Sequence, residues 1–430
     1  VLDPASSYFR YFRIPACAGM TGIRLFAGSS FFESYCKIFH LNNMQAHYNT
    51  YSQSKFVELL SRLCRTQGKT FHEKERKNTI ISFLDSVSDS LPDEKRIIHH
   101  TDEAGNLIVN FGQGDWEDAV VFDAHIDVVG KGFSEPVIKD DGKIYGLGTG
   151  DNLTSATLLC LLAEKLAYES TKFKRPLLLL FSVCEEGYGN LKGVRQFVDA
   201  RKTPPHLFVS FDLSYREYST SGLGSRRYKV TAKGPGGHSW DNRETPSAIE
   251  KMMEFLTLLK FRQIGLDEKH SAPFSFNIGI IEGGEGVNII AGNAGVHFEF
   301  RSTAEPLLNE AAAIVKEEIE RANNSGDNVF FDFSIEGERP AAKPVRPESG
   351  EELIRRIWKN NSIAARRTIR STNINYPLFM GWPSICTGLC ECAGYHTEDE
   401  YIILNSVEKG WKLLGEITKE LVFTEDTSGE

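Results

Sequence analysis

The sequence predicts an α/β protein, with a doubly wound, mainly parallel sheet interrupted by a smaller inserted α+β domain. Three observations predict it. Strand-like apolar runs alternate with helical periods from Leu107 to Phe211. The grammar changes to βαββαβ after Gly222, and helix–strand alternation resumes after Pro347.

The elements follow in order. Ser54 to Leu63 and Glu73 to Val87 carry helical periodicity, and Leu107 to Phe111 and Ala119 to Ala124 read as strands. Thr154 to Tyr168 is an apolar helix, and Pro176 to Val183 is a buried strand of consecutive leucines. Helix Leu191 to Ala200 and strand Leu207 to Phe211 complete the alternation, which implies a sheet covered on both faces. The inserted part comprises strand Arg227 to Ala232, helix Pro246 to Leu259, strands Phe274 to Ile281 and Val296 to Arg301, helix Leu307 to Ala322 and strand Val329 to Ile335. That order is the split βαβ of a ferredoxin-like domain. Its entry (GLG) and exit (GERPAAKPVRP) are linker-like. Helix Glu351 to Asn361, a strand near Ile385 and helix Val407 to Leu421 close the larger domain.

The expected organisation is therefore a first part over 44–221, an insertion over 222–337 and a second part over 338–425. Residues 1 to 43 show neither helical nor strand period. Their apolar core between Arg10, Arg13 and Arg24 is too short for a signal peptide. They read either as a translated non-coding extension ahead of Met44 or as a disordered tail, and no function is assigned to them.

Composition narrows the class. The length of 430 residues suits about two or three domains. A net charge of -9 argues against nucleic acid or an anionic membrane surface as partner. No apolar stretch approaches the roughly 20 residues needed to span a bilayer. Eight irregularly spaced cysteines fit free thiols in a reducing compartment, so the cytoplasm is the expected location.

Candidate chemistry gathers at one rim. In a doubly wound sheet, ligands bind beyond the carboxyl ends of the strands. His125 and Asp127 follow one predicted strand, Glu185 and Glu186 another, and Asp212 a third, while Asp151 opens the Thr154 helix. Carboxylates converging there repel one another unless cations neutralise them. Imidazole with carboxylate suits zinc, cobalt or manganese. A two-metal site takes a bridging carboxylate and further ligands for each ion. His125, Asp151, Glu186, Asp212 and His396 are available for that. Asp127 is then placed to orient His125, and Glu185 to act as general base. Singly, each is ordinary: an H-x-D pair, a Glu-Glu helix start, a turn aspartate, a loop histidine. Their conjunction on one rim carries the reading.

With those residues in hand, the sequence resembles the dinuclear-zinc family of peptidase T, aminoacylases and carboxypeptidase G over most of Met44 to Val422. VFDAHIDVV resembles its first histidine motif, GTGDN its bridging-aspartate motif and SVCEEG its catalytic glutamate motif. GPGGHS resembles its lid histidine motif, and STNINYPLFMGWPSICTG with GYHTEDEY its terminal histidine region.

The resemblance implies a zinc-exopeptidase-like catalytic domain, an inserted ferredoxin-like lid that dimerises, and two Zn²⁺ (Co²⁺ or Mn²⁺ as substitutes). His125, Asp151 and Asp212 would hold one ion, and Asp151, Glu186 and His396 the other. Glu185 would be the base and Asp127 the orienter of His125. His238 would polarise the scissile carbonyl, in this family often from a partner subunit. Asn288 and Arg301 would bind the substrate carboxylate; their bland readings are a turn asparagine and a surface arginine.

An aspartate at Asp212 goes with aminopeptidases among relatives, which points to short peptides with a free amino terminus. The alternatives are an N-acyl-amino-acid amidohydrolase or carboxypeptidase, and a catalytically silent metal-binding scaffold.

Two departures bear on substrate fit: Cys390 and Cys392 replace small residues, and Asn373 stands where relatives often have aspartate. Two rival sites fail. In GLGTGD the third glycine of a dinucleotide loop falls on Asp151, whose charge opposes a pyrophosphate. A zinc site of Cys386, Cys390, Cys392 and His396 has too tight a C-x-C spacing and strands the carboxylates.

Overall fold

The computed structural model describes residues 51–169, 172–345 and 347–424; the expectations for residues 1 to 43 lie outside them. In chain order the first elements are helices α1 (Gln53–Arg65) and α2 (Lys74–Ser88), then strands β1 (Ile98–Thr101), β2 (Leu107–Phe111) and β3 (Val120–His125). Helix α3 (Thr154–Tyr168), strand β4 (Leu177–Ser182), helix α4 (Lys192–Asp199) and strands β5 (Leu207–Phe211) and β6 (Glu217–Ser219) follow. The inserted region holds β7 (Gly224–Lys233), α5 (Ala248–Arg262), β8 (Phe274–Gly283), β9 (Asn293–Ser302), α6 (Glu305–Asn323) and β10 (Phe330–Arg339). Helix α7 (Pro347–Asn360), strands β11 (Arg366–Arg367) and β12 (Ser384–Thr387) and helix α8 (Leu404–Val422) complete the main elements.

The large sheet runs β1-β2-β4-β3-β5-β12-β6-β11. Its centre is parallel, with β3 between β4 and β5, and β12 beside β5. Every residue of β3, β4 and β5 is buried, as expected for parallel strands covered on both faces. The antiparallel edge strand β1 was not legible in the sequence, because IHHT is mostly exposed and carries no apolar alternation. Pairing with β2 is what makes it a strand.

Inside the sheet, Asp123 is fully buried and accepts hydrogen bonds from Ser182 (2.6 Å), Ser210 (2.7 Å) and Asn373 (3.0 Å). Burial pushes its pKa up to about 6. Asn373 also donates to Ser182 at 2.8 Å and is itself buried. Its departure from aspartate therefore concerns this polar core and not substrate fit. A second carboxylate facing Asp123 would be a like-charge clash.

The inserted strands form an antiparallel sheet, β8-β9-β7-β10, the strand order of a ferredoxin-like fold. Alternation sorts its faces. Tyr228, Val230, Ala232, Val296, Phe298 and Phe300 pack with α5 and α6 in a core of their own. Arg227, His297, Glu299 and Arg301 take the opposite face, which is partly open. The last strand reaches Arg339, two residues beyond the expected boundary.

One buried charge ties the amino-terminal helices to the sheet. Arg76 on α2 is fully buried and, among the described residues, donates to five backbone carbonyls: Leu63 (3.0 Å), Gly68 (3.1 Å), Ile126 (2.7 Å), Thr66 (2.8 Å) and Gly132 (2.6 Å). It thereby fixes the turn that carries Asp127. Lysine has neither the fork nor the donors to replace it. Arg76→Lys is expected to destabilise the protein by about 3 kcal/mol, read from urea midpoints at unchanged m-value. A loss under about 0.5 kcal/mol would contradict that role.

Candidate active site

Because β3, β4 and β5 are parallel, their carboxyl ends share one rim. His125 ends β3, Glu185 and Glu186 follow β4, and Asp212 follows β5. Asp151 and His396 arrive from elsewhere, and a small sheet that the sequence did not reveal brings them in. The short strands Lys143–Tyr145 and Tyr401–Ile403 pair antiparallel, flanked by Val137–Ile138 and Cys392–Ala393. From this junction the Glu400 carboxylate accepts three backbone N–H bonds, from Gly148 (3.0 Å), Gly150 (2.8 Å) and Asp151 (2.9 Å). Gly148 has φ +83°, and a Cβ there would lie 2.5 Å from Val128, so the turn needs glycine. Asn152 secures the other side by donating to the Phe211 carbonyl at 2.7 Å.

The six polar residues meet around Asp151. Its Oδ1 lies 2.9 Å from His125 Nε2, and its Oδ2 lies 3.2 Å from His396 Nε2. His396 Nε2 is also 3.1 Å from Glu186. Two sets of potential ligand atoms, His125–Asp151–Asp212 and Asp151–Glu186–His396, each lie within 4.8 Å of one another. Asp151 is common to both, with one oxygen turned to each histidine.

Behind them, Asp127 accepts from the backbone N–H of Glu185 (3.0 Å) and Glu186 (2.8 Å) and from Thr70 (3.0 Å). His125 Nδ1 lies 3.1 Å from the Asp127 carbonyl and 3.4 Å from its carboxylate. His125 Nδ1 thus faces both the backbone and the side chain of Asp127.

Electrostatics show what this arrangement demands. Burial, then the charge of Asp151, pushes Glu186 up to about 7. The same two causes raise Asp212 well above the carboxylate range. His396 is pushed up to about 11 by its hydrogen bonds to Asp151 and Glu186. Burial opposes the charged form of His125, yet bonds to Asp127 and Asp151 outweigh it and raise its pKa. Burial likewise opposes ionisation of Asp151, but both histidines hold its pKa down. Without a cation, protons must neutralise this acidic cluster. Nitrogen and carboxylate oxygen donors in two sets sharing one aspartate fit a pair of borderline divalent cations. Among the described residues no cysteine joins these sets, so the thiolate alternative gains no support.

A third set, His125–Glu185–Glu186, is geometrically as tight. It differs because Arg339 donates to Glu185 Oε1 at 2.8 Å. A guanidinium beside a carboxylate opposes cation binding at that carboxylate.

A cleft of about 550 Å³, within the usual range of small-ligand sites, opens from this cluster to the polar face of the inserted sheet. Arg227, Asn277, His297, Glu299, Arg301 and Glu336 line that side. Arg301 is held by Glu299 (2.7 Å). Neither His238 nor Asn288 is among the cleft's lining residues. They lie together on a two-stranded ribbon, with Gly237–His238 paired to Ile289–Ile290, and His238 is more than half exposed. Thr70, Arg339 and Glu400 also stand at the site and are not evident from the sequence. A lone threonine, an arginine in a linker-like stretch and one acid in TEDE give no pattern to find them by.

Fold and site together point to one protein family. The chain belongs to peptidase family M20/M25/M40, whose profile matches residues 121–420. Acetylornithine deacetylase of Pectobacterium carotovorum is 25% identical over 227 residues, covering 50% of this chain and 58% of the relative. The enzyme of that name from Shigella sonnei is 24% identical over 279 residues, 61% of this chain and 71% of the relative. Among solved structures, a Staphylococcus aureus tripeptidase superposes with TM-score 0.71 at 16% identity, covering 86% of this chain and 98% of that one. Aminopeptidase PepT of Bacillus cereus gives 0.67 at 19%, covering 86% and 99%. At these identities the likeness concerns the fold.

Proposed function

We propose that this protein is a metal-dependent exopeptidase of the aminopeptidase or dipeptidase type that hydrolyses short peptides. The observation that carries the reading is the shared Asp151, one oxygen toward His125 and the other toward His396, with Glu185 lining the same cleft but held by arginine. His125, Asp151 and Asp212 would hold one zinc, and Asp151, Glu186 and His396 the second, with Co²⁺ or Mn²⁺ able to replace them. Bound there, the cations supply Lewis-acid polarisation of the scissile carbonyl and a more acidic water.

The chain's own groups do the rest. Glu185 takes the water proton at Oε2, the oxygen that receives no donor among the described residues, and passes it to the leaving amine. Asp127 keeps His125 in one orientation. Arg301, pre-set by Glu299, pairs with the substrate carboxylate.

His238 and Asn288 act from a second copy in this reading. Supporting it, β8 is an edge strand with Ile278, Ile280 and Ile281 exposed, and Val287, Ile289 and Trp240 are exposed beside His238. Exposed apolar edges of this kind are sites of pairing. The inserted domain is thus read as a lid and dimerisation domain over 222–337, between catalytic parts 44–221 and 338–425. No helix among the described residues is long and apolar enough to cross a membrane; the cytoplasm is the proposed location.

A second reading, an N-acyl-amino-acid amidohydrolase, is favoured by the acetylornithine deacetylase relatives. Hydrolysis of a free dipeptide and its N-acetylated form by metal-stripped protein, with and without Zn²⁺ or Co²⁺, separates the two. Metal-dependent cleavage of the free peptide alone is expected. Cleavage of the acetylated form alone would overturn the aminopeptidase assignment. Two bound metals with neither substrate cleaved would favour a silent scaffold.

A further inference from the structure

We infer that Arg339 is a positioning residue for Glu185, acting from the inserted domain on the base of the catalytic one; the inference rests on the exopeptidase reading. Arg339 is the last residue of β10, and its side chain is 5% exposed, against 6% for that of Glu185. One arm of its guanidinium, Nη1, donates to Glu185 Oε1 at 2.8 Å. The other arm, Nη2, donates to the backbone carbonyl of the same residue. Nη1 also reaches the carbonyl and hydroxyl of Ser371, each at 3.3 Å.

A single planar group thus fixes the glutamate's side chain relative to its own backbone. Its rigid fork suits that task where a lysine ammonium does not. The backbone N–H of Glu185 is held from the other side by Asp127. Oε2, which no donor reaches among the described residues, remains for proton transfer.

Arg339 Nε is buried and has no hydrogen-bond partner among the described residues, so the contacts of this side chain to Glu185 run through its two terminal nitrogens. Nor does Arg339 act alone at this seam. Arg227 Nη1 donates to the Gly187 carbonyl at 2.6 Å, and the Glu338 N–H donates to Asn190 Oδ1 at 2.8 Å. The segment from Glu185 to Asn190 is therefore attached to β7 and β10 of the inserted sheet at three residues. Through these bonds the orientation of the inserted domain sets where the base points. The charge of Arg339 also keeps Glu185 from joining Glu186 as a ligand, although the two are neighbours in sequence.

The test uses Arg339→Ala and Arg339→Lys in the full-length protein. With the free dipeptide as substrate, Arg339→Ala is expected to lower kcat by about 10²-fold with little change in KM. Added guanidinium at sub-denaturing concentration restores part of the loss, and the lysine variant stays impaired. A loss confined to KM would make Arg339 a substrate contact and overturn the inference. So would unchanged kcat, or a loss that guanidinium does not touch.

A second readout needs no activity. In the Co²⁺-loaded proteins, Arg339→Ala is expected to shift the visible cobalt absorption as Glu185 becomes free to ligate, and guanidinium reverses the shift. An identical spectrum in the two proteins overturns the inference even if wild-type protein proves inactive on both peptides, the result that would instead overturn the exopeptidase reading.

Discussion

Replacing Glu185 with glutamine is expected to lower kcat by about 10²–10⁴-fold while the protein still binds two divalent ions per chain. The amide cannot take a proton from water, yet its carbonyl oxygen still accepts from Arg339 at the position of Oε1. Glu185→Ala should be equally inactive but less sound. It leaves the Arg339 charge buried and unpaired, which costs about 3 kcal/mol or more in comparable cases. The measurements are steady-state kinetics on a free dipeptide and metal content by elemental analysis. Loss of a metal in the glutamine variant would mean that Glu185 is a ligand, as the tight His125–Glu185–Glu186 set alone would suggest.

Much of this site was legible in the sequence because its residues sit where periodicity changes. His125, Glu185–Glu186 and Asp212 each end or follow a continuous apolar run, so the carboxyl ends of those runs located them on one rim. The second, antiparallel sheet was legible from alternation, which along β7 and β9 sorts aromatic from charged residues. What stayed hidden depends on contacts between distant segments. The Lys143–Tyr145 and Tyr401–Ile403 strands are too short for any period, yet their pairing delivers Asp151 and His396 to each other. Glu400 and Arg339 act through backbone groups far along the chain, and no local spacing encodes such a partner. Asn373 misled for a related reason. Its burial beside Asp123 cannot be read from STNIN, where it stands among residues that look like a loop.

Removing the cations is expected to abolish turnover and to make stability fall as pH rises from about 5 to 8. Burial raises Glu186 and Glu400 to about 7 each, and Asp212 well above its ordinary range. A carboxyl whose folded pKa is raised contributes stability that is fully present below its unfolded value of about 4.3. That contribution is lost as pH rises through the folded value, on the order of 2 kcal/mol or more for such a group. His396, pushed up to about 11, has the same sign and loses its contribution between about 6.5 and 11. Asp127 and Asp151 have lowered values and the opposite sign, but their contribution is lost only toward more acid pH, outside this window. Cations reverse the preference, because the ligands must be ionised to bind them. Zinc is therefore expected to raise the melting temperature more at about pH 8 than at about pH 5, and its apparent affinity should weaken below about pH 7. Binding should release protons, measured by titration calorimetry in buffers of different ionisation enthalpy. A stripped protein whose melting temperature climbs from about pH 5 to 8, or metal uptake without proton release, would mean that these carboxylates are ionised before the metal arrives.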